Sequence, residues 1–204
     1  MSDHRPAPGT VRPRGRTERV RAAVLAATRA ELETHGYPAL TMERVAEIAG
    51  VAKSTVYRRW RDPAGLLAEL LADLTMTEVP LYDTGSIELD MRQLAMGIHR
   101  FYANPVGRPM MLGLIAAGVY SPRAAEVLHD FFQARNEQAA EAVRHAIRRG
   151  ELPADTDPVD VIRALGAAFY YRMLVTHEPV DDALVEQTAT AVIAAAKAGA
   201  YRAR

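Results

Sequence analysis

Residues 41–60, TMERVAEIAGVAKSTVYRRW, read as two short helices joined by a tight turn. Thr41 is placed to cap the first, because its hydroxyl oxygen can accept a hydrogen bond from an amide that a helix start leaves unpaired. Val45, Ile48 and Ala49 then fall on one apolar face, with Glu43 and Glu47 pointing elsewhere. Ala46 stands where two steeply crossed helices come closest. Gly50 follows where such a turn needs a positive φ, which glycine adopts at little steric cost. Val51 and Val56 close a small core. Lys53, Ser54, Thr55, Tyr57, Arg58 and Arg59 are left on the outside of the second helix. They are donors suited to phosphates and base edges. A solvated helix face ordinarily mixes charge signs; this one is only cationic.

The run 24–67, centred on HGYPALTMERVAEIAGVAKSTVYRRW, resembles the DNA-binding domain of the TetR (tetracycline-repressor-like) family of transcriptional regulators. The resemblance implies an all-α chain. Its N-terminal three-helix helix-turn-helix domain would place the third helix, about 53–60, in the major groove, and a C-terminal helical ligand-binding and dimerisation domain would follow. Lys53, Tyr57, Arg58 and Arg59 would hold that helix on phosphates, Ser54 and Thr55 would face base edges, and Thr41 would contact the backbone. The family commonly has a lysine where this chain has Pro63, so Arg61 is the candidate to supply the charge.

Charge is divided along the chain. Residues 1–61 hold twelve Lys and Arg against six acids, a net +6, while the whole chain sums to zero. A basic end on an acidic body suits a protein in which one part binds phosphates and the other stays off them. The 204 residues, 49% of them hydrophobic, allow one large or two small domains. Cysteine is absent, which removes disulfides and thiolate metal sites. No run approaches the roughly 18 apolar residues of a membrane span, and residues 1–16 lack a secretion signal's apolar core. The expectation is a cytoplasmic protein of bacterial type, nucleoid-associated when bound and without a membrane partner.

The expected divisions are a disordered basic arm over 1–16, the DNA-binding domain over 17–62 and the helical body over 63–204. Arg12, Arg14 and Arg16 in the arm are candidates for a phosphate backbone or minor groove, beside the alternative of a solubilising tail. A helix over 17–35 buries Val20, Val24, Ala27 and Leu32 and ends at Gly36. Arg29 and Glu31 stand where the family often has apolar residues, which implies looser packing. Trp60 plugs the core, and Asp62 with Pro63 starts a fourth helix carrying Leu66, Leu67, Leu70, Leu71 and Leu74. That helix belongs to both domains, so a tilt at one end moves the other.

Three further helices, over 87–103, 106–119 and 122–149, are rich in methionine and aromatics, which suits an adaptable cavity. Met91, Ile98, Met111, Ile115, Phe131, Phe132 and Arg135 are the candidate ligand-binding residues, Arg135 as partner for an anion; ordinary core filling is the competing reading. Helices over 157–177 and 180–198 carry more small and apolar surface than one neighbour can bury. Ile162, Leu165, Phe169, Met173, Leu184, Ala191, Val192 and Ala195 are the candidate dimer residues, forming by resemblance a four-helix bundle across a two-fold axis. An internal helix pair is the alternative.

Catalysis finds little support. The six histidines show no HExxH spacing, and no phosphate-binding glycine loop or nucleophile elbow occurs. His99 and His129 are the one pair that helices could bring together on a metal, with surface or satisfied roles as the ordinary alternative. The expected function is a ligand-responsive transcriptional regulator, by resemblance a repressor that binds a palindromic double-stranded DNA operator as a homodimer and is released by a small, largely apolar effector. No cofactor is expected. The other reading is a helical interaction or scaffold protein that uses its basic end for a protein partner.

Overall fold

Capping side chains and glycines set where the helices begin and stop in the computed structural model, which describes residues 13–203. The DNA-binding unit is α1 (Pro13–His35), a 3₁₀ turn (Tyr37–Ala39), α2 (Met42–Ile48) and α3 (Lys53–Trp60). The shared helix α4 (Pro63–Glu78) leads into α5 (Ile87–Ala103), α6 (Gly107–Tyr120), α7 (Pro122–Arg148), α8 (Pro158–Tyr171) and α9 (Asp182–Lys197). Thr41 accepts from the Arg44 amide at 3.3 Å, and Asp62 accepts from the Gly65 amide at 2.8 Å. Gly50 turns the chain between α2 and α3 at φ +64°. Each capping side chain satisfies an amide that the helix itself leaves free.

Two boundaries differ from the sequence pattern. Residues 13–16 already belong to α1, so the arm expected over 1–16 is shorter; Arg12 and the Arg14 side chain lie outside the described residues. The helix expected over 157–177 stays α-helical only to Tyr171, then widens into a π turn, Arg172–Thr176, ended by His177 at φ +53°.

The head's core comes from Val24, Leu25, Ala27 and Leu32 of α1, Met42, Val45 and Ala46 of α2, and Val56 and Trp60 of α3. Ile48, expected inside, is 46% exposed, and Met42 takes the inner position. In a helix of two turns the buried stripe is 42, 45, 46 and 49, the i, i+3, i+4, i+7 spacing, and position 48 falls off it. Glu31 is buried where looser packing was expected. It accepts from Arg44 of α2 at 2.9 Å and lies 3.2 Å from His35, so a charge pair bolts α1 to α2. Arg29 lies on the surface and pairs with Glu33.

Head and body share one continuous core, with α4 passing through it. They also touch at a second place. A methyl group on Gly113 of α6 would sit 2.6 Å from Tyr37 Cβ, so only glycine lets α6 rest on the turn after α1. Arg44→Ala leaves the Glu31 carboxylate buried beside His35 alone and should lower the stability of the chain by about 1–3 kcal/mol in urea unfolding. Arg29→Ala, which breaks only an exposed pair, should cost less than about 0.5 kcal/mol.

Candidate DNA interface and effector cavity

The helix α3 presents Lys53, Ser54, Arg58 and, just past its end, Arg61 to solvent, with Thr55 half-buried. No described acid lies within salt-bridge reach of Lys53, Arg58 or Arg61, although Lys53 is near enough to Glu43 to favour its charged form. Its N-cap is Ala52, which has no side chain to cap the first turn; the Thr55 amide donates to the Ala52 carbonyl at 2.9 Å, which leaves the Lys53 and Ser54 amides without a capping side chain and open to a phosphate. Arg16 of α1 lines a surface groove with Thr55 and Arg58, adding a cation from the neighbouring helix. Thr41 is exposed, and capping uses only its acceptor, leaving its O–H to donate.

Two residues expected to reach outward are engaged inside the head. Tyr57, 43% exposed, donates its hydroxyl to Glu43 at 2.7 Å, linking α3 to α2. That hydrogen bond raises the Tyr57 phenol and lowers the Glu43 carboxyl. Arg59 turns toward α4: its Nη2 donates to Glu69 at 3.2 Å, and its guanidinium lies 5.1 Å from the Trp60 ring centroid. Arg59 is therefore a positioning residue in this structure rather than a free phosphate donor. The physical reason is that α4 supplies a carboxylate within its reach, which the local sequence around Arg59 does not show.

Glu69 collects more than Arg59. It also accepts from Arg21 of α1 and from the Trp60 indole N–H. Burial alone would raise its carboxyl, but the hydrogen bonds from Arg21, Arg59 and Trp60 together hold it below the usual glutamate value. Arg21 is shared with Asp73 one turn further along α4, at 2.9 Å. The corner between α3 and α4 is tight. Arg61 adopts φ +66°, and the Asp62 amide donates to the Trp60 carbonyl at 2.7 Å, a γ-turn of the positive-φ kind that a side chain enters only under strain.

Between α4 and α8 lies a cavity of about 490 Å³. Ile98, Met111, Ile115, Phe131, Phe132 and Arg135 line it, the places expected for them. Met91 does not: it faces a smaller cleft of about 230 Å³ beside Asp90, on the other side of Leu94. Sequence reading missed Phe101, Tyr102 and Tyr170. Tyr170 packs edge-on to both Phe132 and Tyr102, at centroid distances of 5.4 and 5.8 Å. Burial raises both phenols. The helical spacing of Phe101 and Tyr102 shows that both are inward, but only the path of α8 shows that Tyr170 meets them.

The dimer candidates need correction. Ile162, Leu165, Phe169, Met173, Leu184 and Val192 are buried inside the single chain, with Leu165 and Phe169 fully enclosed. Only Ala191 is exposed, and Ala195 is half-buried. The apolar stripes of α8 and α9 pack against α5, α7 and each other; the outward surfaces carry Tyr171 of α8 and Val175 of the π turn on one side and Gln187, Thr190, Ala191 and Ala194 of α9 on the other. His99 faces Asp182 at 3.7 Å, His129 is exposed, and no group of three potential metal ligands occurs among the described residues.

A three-helix head with an exposed cationic helix, joined through one shared helix to a hollow helical body, is the architecture of a helix-turn-helix DNA-binding regulator. Residues 24–70 match the family described as bacterial regulatory proteins, tetR family, and residues 81–192 match the tetracyclin repressor-like C-terminal domain. The chain belongs to the TetR family of transcriptional regulators, whose members are DNA-binding proteins rather than enzymes. It is 31% identical over 175 residues to the uncharacterized HTH-type transcriptional regulator YdeS of Bacillus subtilis, covering 85% of this chain and 88% of that protein. The HTH-type transcriptional regulator AqdR of Rhodococcus erythropolis is 31% identical over 166 residues, 81% of this chain and 79% of AqdR. Among solved structures, the TetR family regulator SCO0332 superposes with a TM-score of 0.74 at 33% identity, covering 86% of this chain and 97% of its own. No helix among the described residues is long and apolar enough to cross a membrane.

Arg58→Ala should weaken duplex binding and reduce the slope of log affinity against log salt by about 1, with unchanged thermal unfolding. Arg59→Ala should instead lower the unfolding temperature together with affinity, because it removes a tether to Glu69. Fluorescence anisotropy on labelled duplex at several salt concentrations, run beside thermal melts, separates the two roles.

Proposed function

We propose that this protein is a homodimeric repressor whose hold on a palindromic operator is released when a small, largely apolar effector enters the cavity between α4 and α8. The observation that carries the reading is the placement of α4. Val79, its C-cap residue, lines the cavity, while Glu69 and Asp73 nearer its start are bonded to α1 and α3. A ligand that favours a different setting of α4 therefore favours a different setting of the recognition helix. It shifts the population only by as much as it prefers that state, about 10⁴-fold for a complete switch.

Two recognition helices must lie about 34–36 Å apart, or a multiple, to reach successive half-sites. The dimer that holds them uses the outward faces of α8 and α9. Ala191 and Ala194 are exposed and small there, allowing close helix approach, and Tyr171 is exposed on α8. Lys53, Arg58 and Arg61 hold phosphates, with Thr41 on the backbone; Ser54 and Thr55 reach base edges at the start of α3.

A gel-shift titration against the DNA upstream of the protein's own gene, at two salt concentrations, tests the reading. Saturable, salt-sensitive binding with two chains per site is expected; absence of duplex binding would favour the scaffold alternative. Ala194→Arg should give a monomer by light scattering and weaken operator binding at least about 100-fold, as expected when the two half-sites no longer reinforce each other. Leu165→Ala, which acts inside the core, should cost about 2–5 kcal/mol of stability and leave the folded protein dimeric.

A further inference from the structure

The wall of the effector cavity is mostly apolar, with Thr75 and Asn136 as neutral polar members. Its charged groups among the described residues are the guanidiniums of Arg135 and Arg163, and no described carboxylate lines it. Arg163 is largely exposed and pairs with Asp160 at 3.0 Å. Arg135 is half-buried on α7, and no described acid lies within salt-bridge reach of it. Its one hydrogen-bond partner among the described residues is the main-chain carbonyl of Val79, the residue that caps the C-terminal end of α4. A charge withdrawn from water is ordinarily paired, and this one has only a neutral acceptor. Desolvation alone accordingly lowers the Arg135 guanidinium from its usual value.

The geometry points to a flat, apolar monocarboxylate as the effector, its anion taking Arg135 and drawing the guanidinium off the Val79 carbonyl. This rests on the reading of the cavity as the effector site. Three features agree with that chemistry. The aromatic edge formed by Phe132, Tyr102 and Tyr170 accommodates a flat apolar body. The volume lies within the range of small-molecule sites. A guanidinium matches a carboxylate with two parallel hydrogen bonds, an exchange a neutral carbonyl cannot equal. The same exchange links recognition to output, because the group released is the last carbonyl-bonded anchor of α4 to α7. A neutral ligand of equal shape fills the cavity but leaves that anchor in place.

The full chain is titrated with para-pentylbenzoate and its neutral counterpart para-pentylbenzamide, in wild type and in Arg135→Gln, which keeps a donor for Val79 but removes the charge. Trp60 is the sole tryptophan and sits at the far end of α4, so its emission reports whether α4 responds. The benzoate should bind wild type about tenfold or more tighter than the benzamide. It alone should shift the Trp60 emission, and Arg135→Gln should abolish both differences while binding the benzamide as wild type does. Equal affinities in wild type, with both probes bound, would overturn the anionic assignment and leave the cavity reading standing. Binding of neither probe would overturn both. A benzoate preference that persists in Arg135→Gln would also overturn the assignment, since the charge would then be read elsewhere.

Discussion

One carboxylate sets the direction in which the reading head is held on α4. Glu69 receives a guanidinium from α1, another from α3 and the indole N–H at the end of α3, so three parts of the head converge on one side chain of α4. Charged hydrogen bonds of this kind are stronger than neutral ones and hold direction as well as distance. The head's apolar core alone would let α3 slide against α4, because hydrophobic contact has no preferred direction. With Glu69 in place, the orientation of the recognition helix follows that of α4. The helix is about 24 Å long by its sixteen residues, and it is held by an acid near its start and by a base, Arg135, at its end.

That arrangement explains the division of labour among the cations of the head. Arg21 and Arg59 are engaged by the acids of α4, Arg44 neutralises the buried Glu31, and Lys53, Arg58, Arg61 and Arg16 remain exposed with no described acid in salt-bridge reach. The face stays basic because the engaged arginines sit toward α4 and α1, not toward the groove. Arg61 is held out by the strained corner that joins α3 to α4, so its charge stands close to the position that Pro63 leaves without one.

Local chemistry was legible and long-range pairing was not. Thr41, Gly50 and Asp62 act over three or four residues, and each does what its type dictates wherever the pattern occurs. The span of α5 follows from periodicity in the same way. Positions that depended on a distant partner went otherwise. Glu31 is buried because Arg44 meets it from α2, and Arg59 leans onto α4 because Glu69 meets it there. A helical stripe shows which residues face away from water, but it does not distinguish the chain's own core from a second copy; Leu165 and Phe169 therefore read as dimer residues while lying wholly inside. Met91 shows the finer limit: inward is not the same as facing the larger of two adjoining cavities.

The contact between Gly113 and Tyr37 gives the shared helix something to work against. Two bodies joined only by a rod can separate in any direction. When they also bear on each other at a fixed point to one side, the motion left open is rotation about that point. Here α6 supplies the bearing surface, and the missing side chain at 113 keeps it close. The head thus has a fulcrum, and a small displacement at the body's end of α4 becomes a swing of the recognition helix with a defined axis.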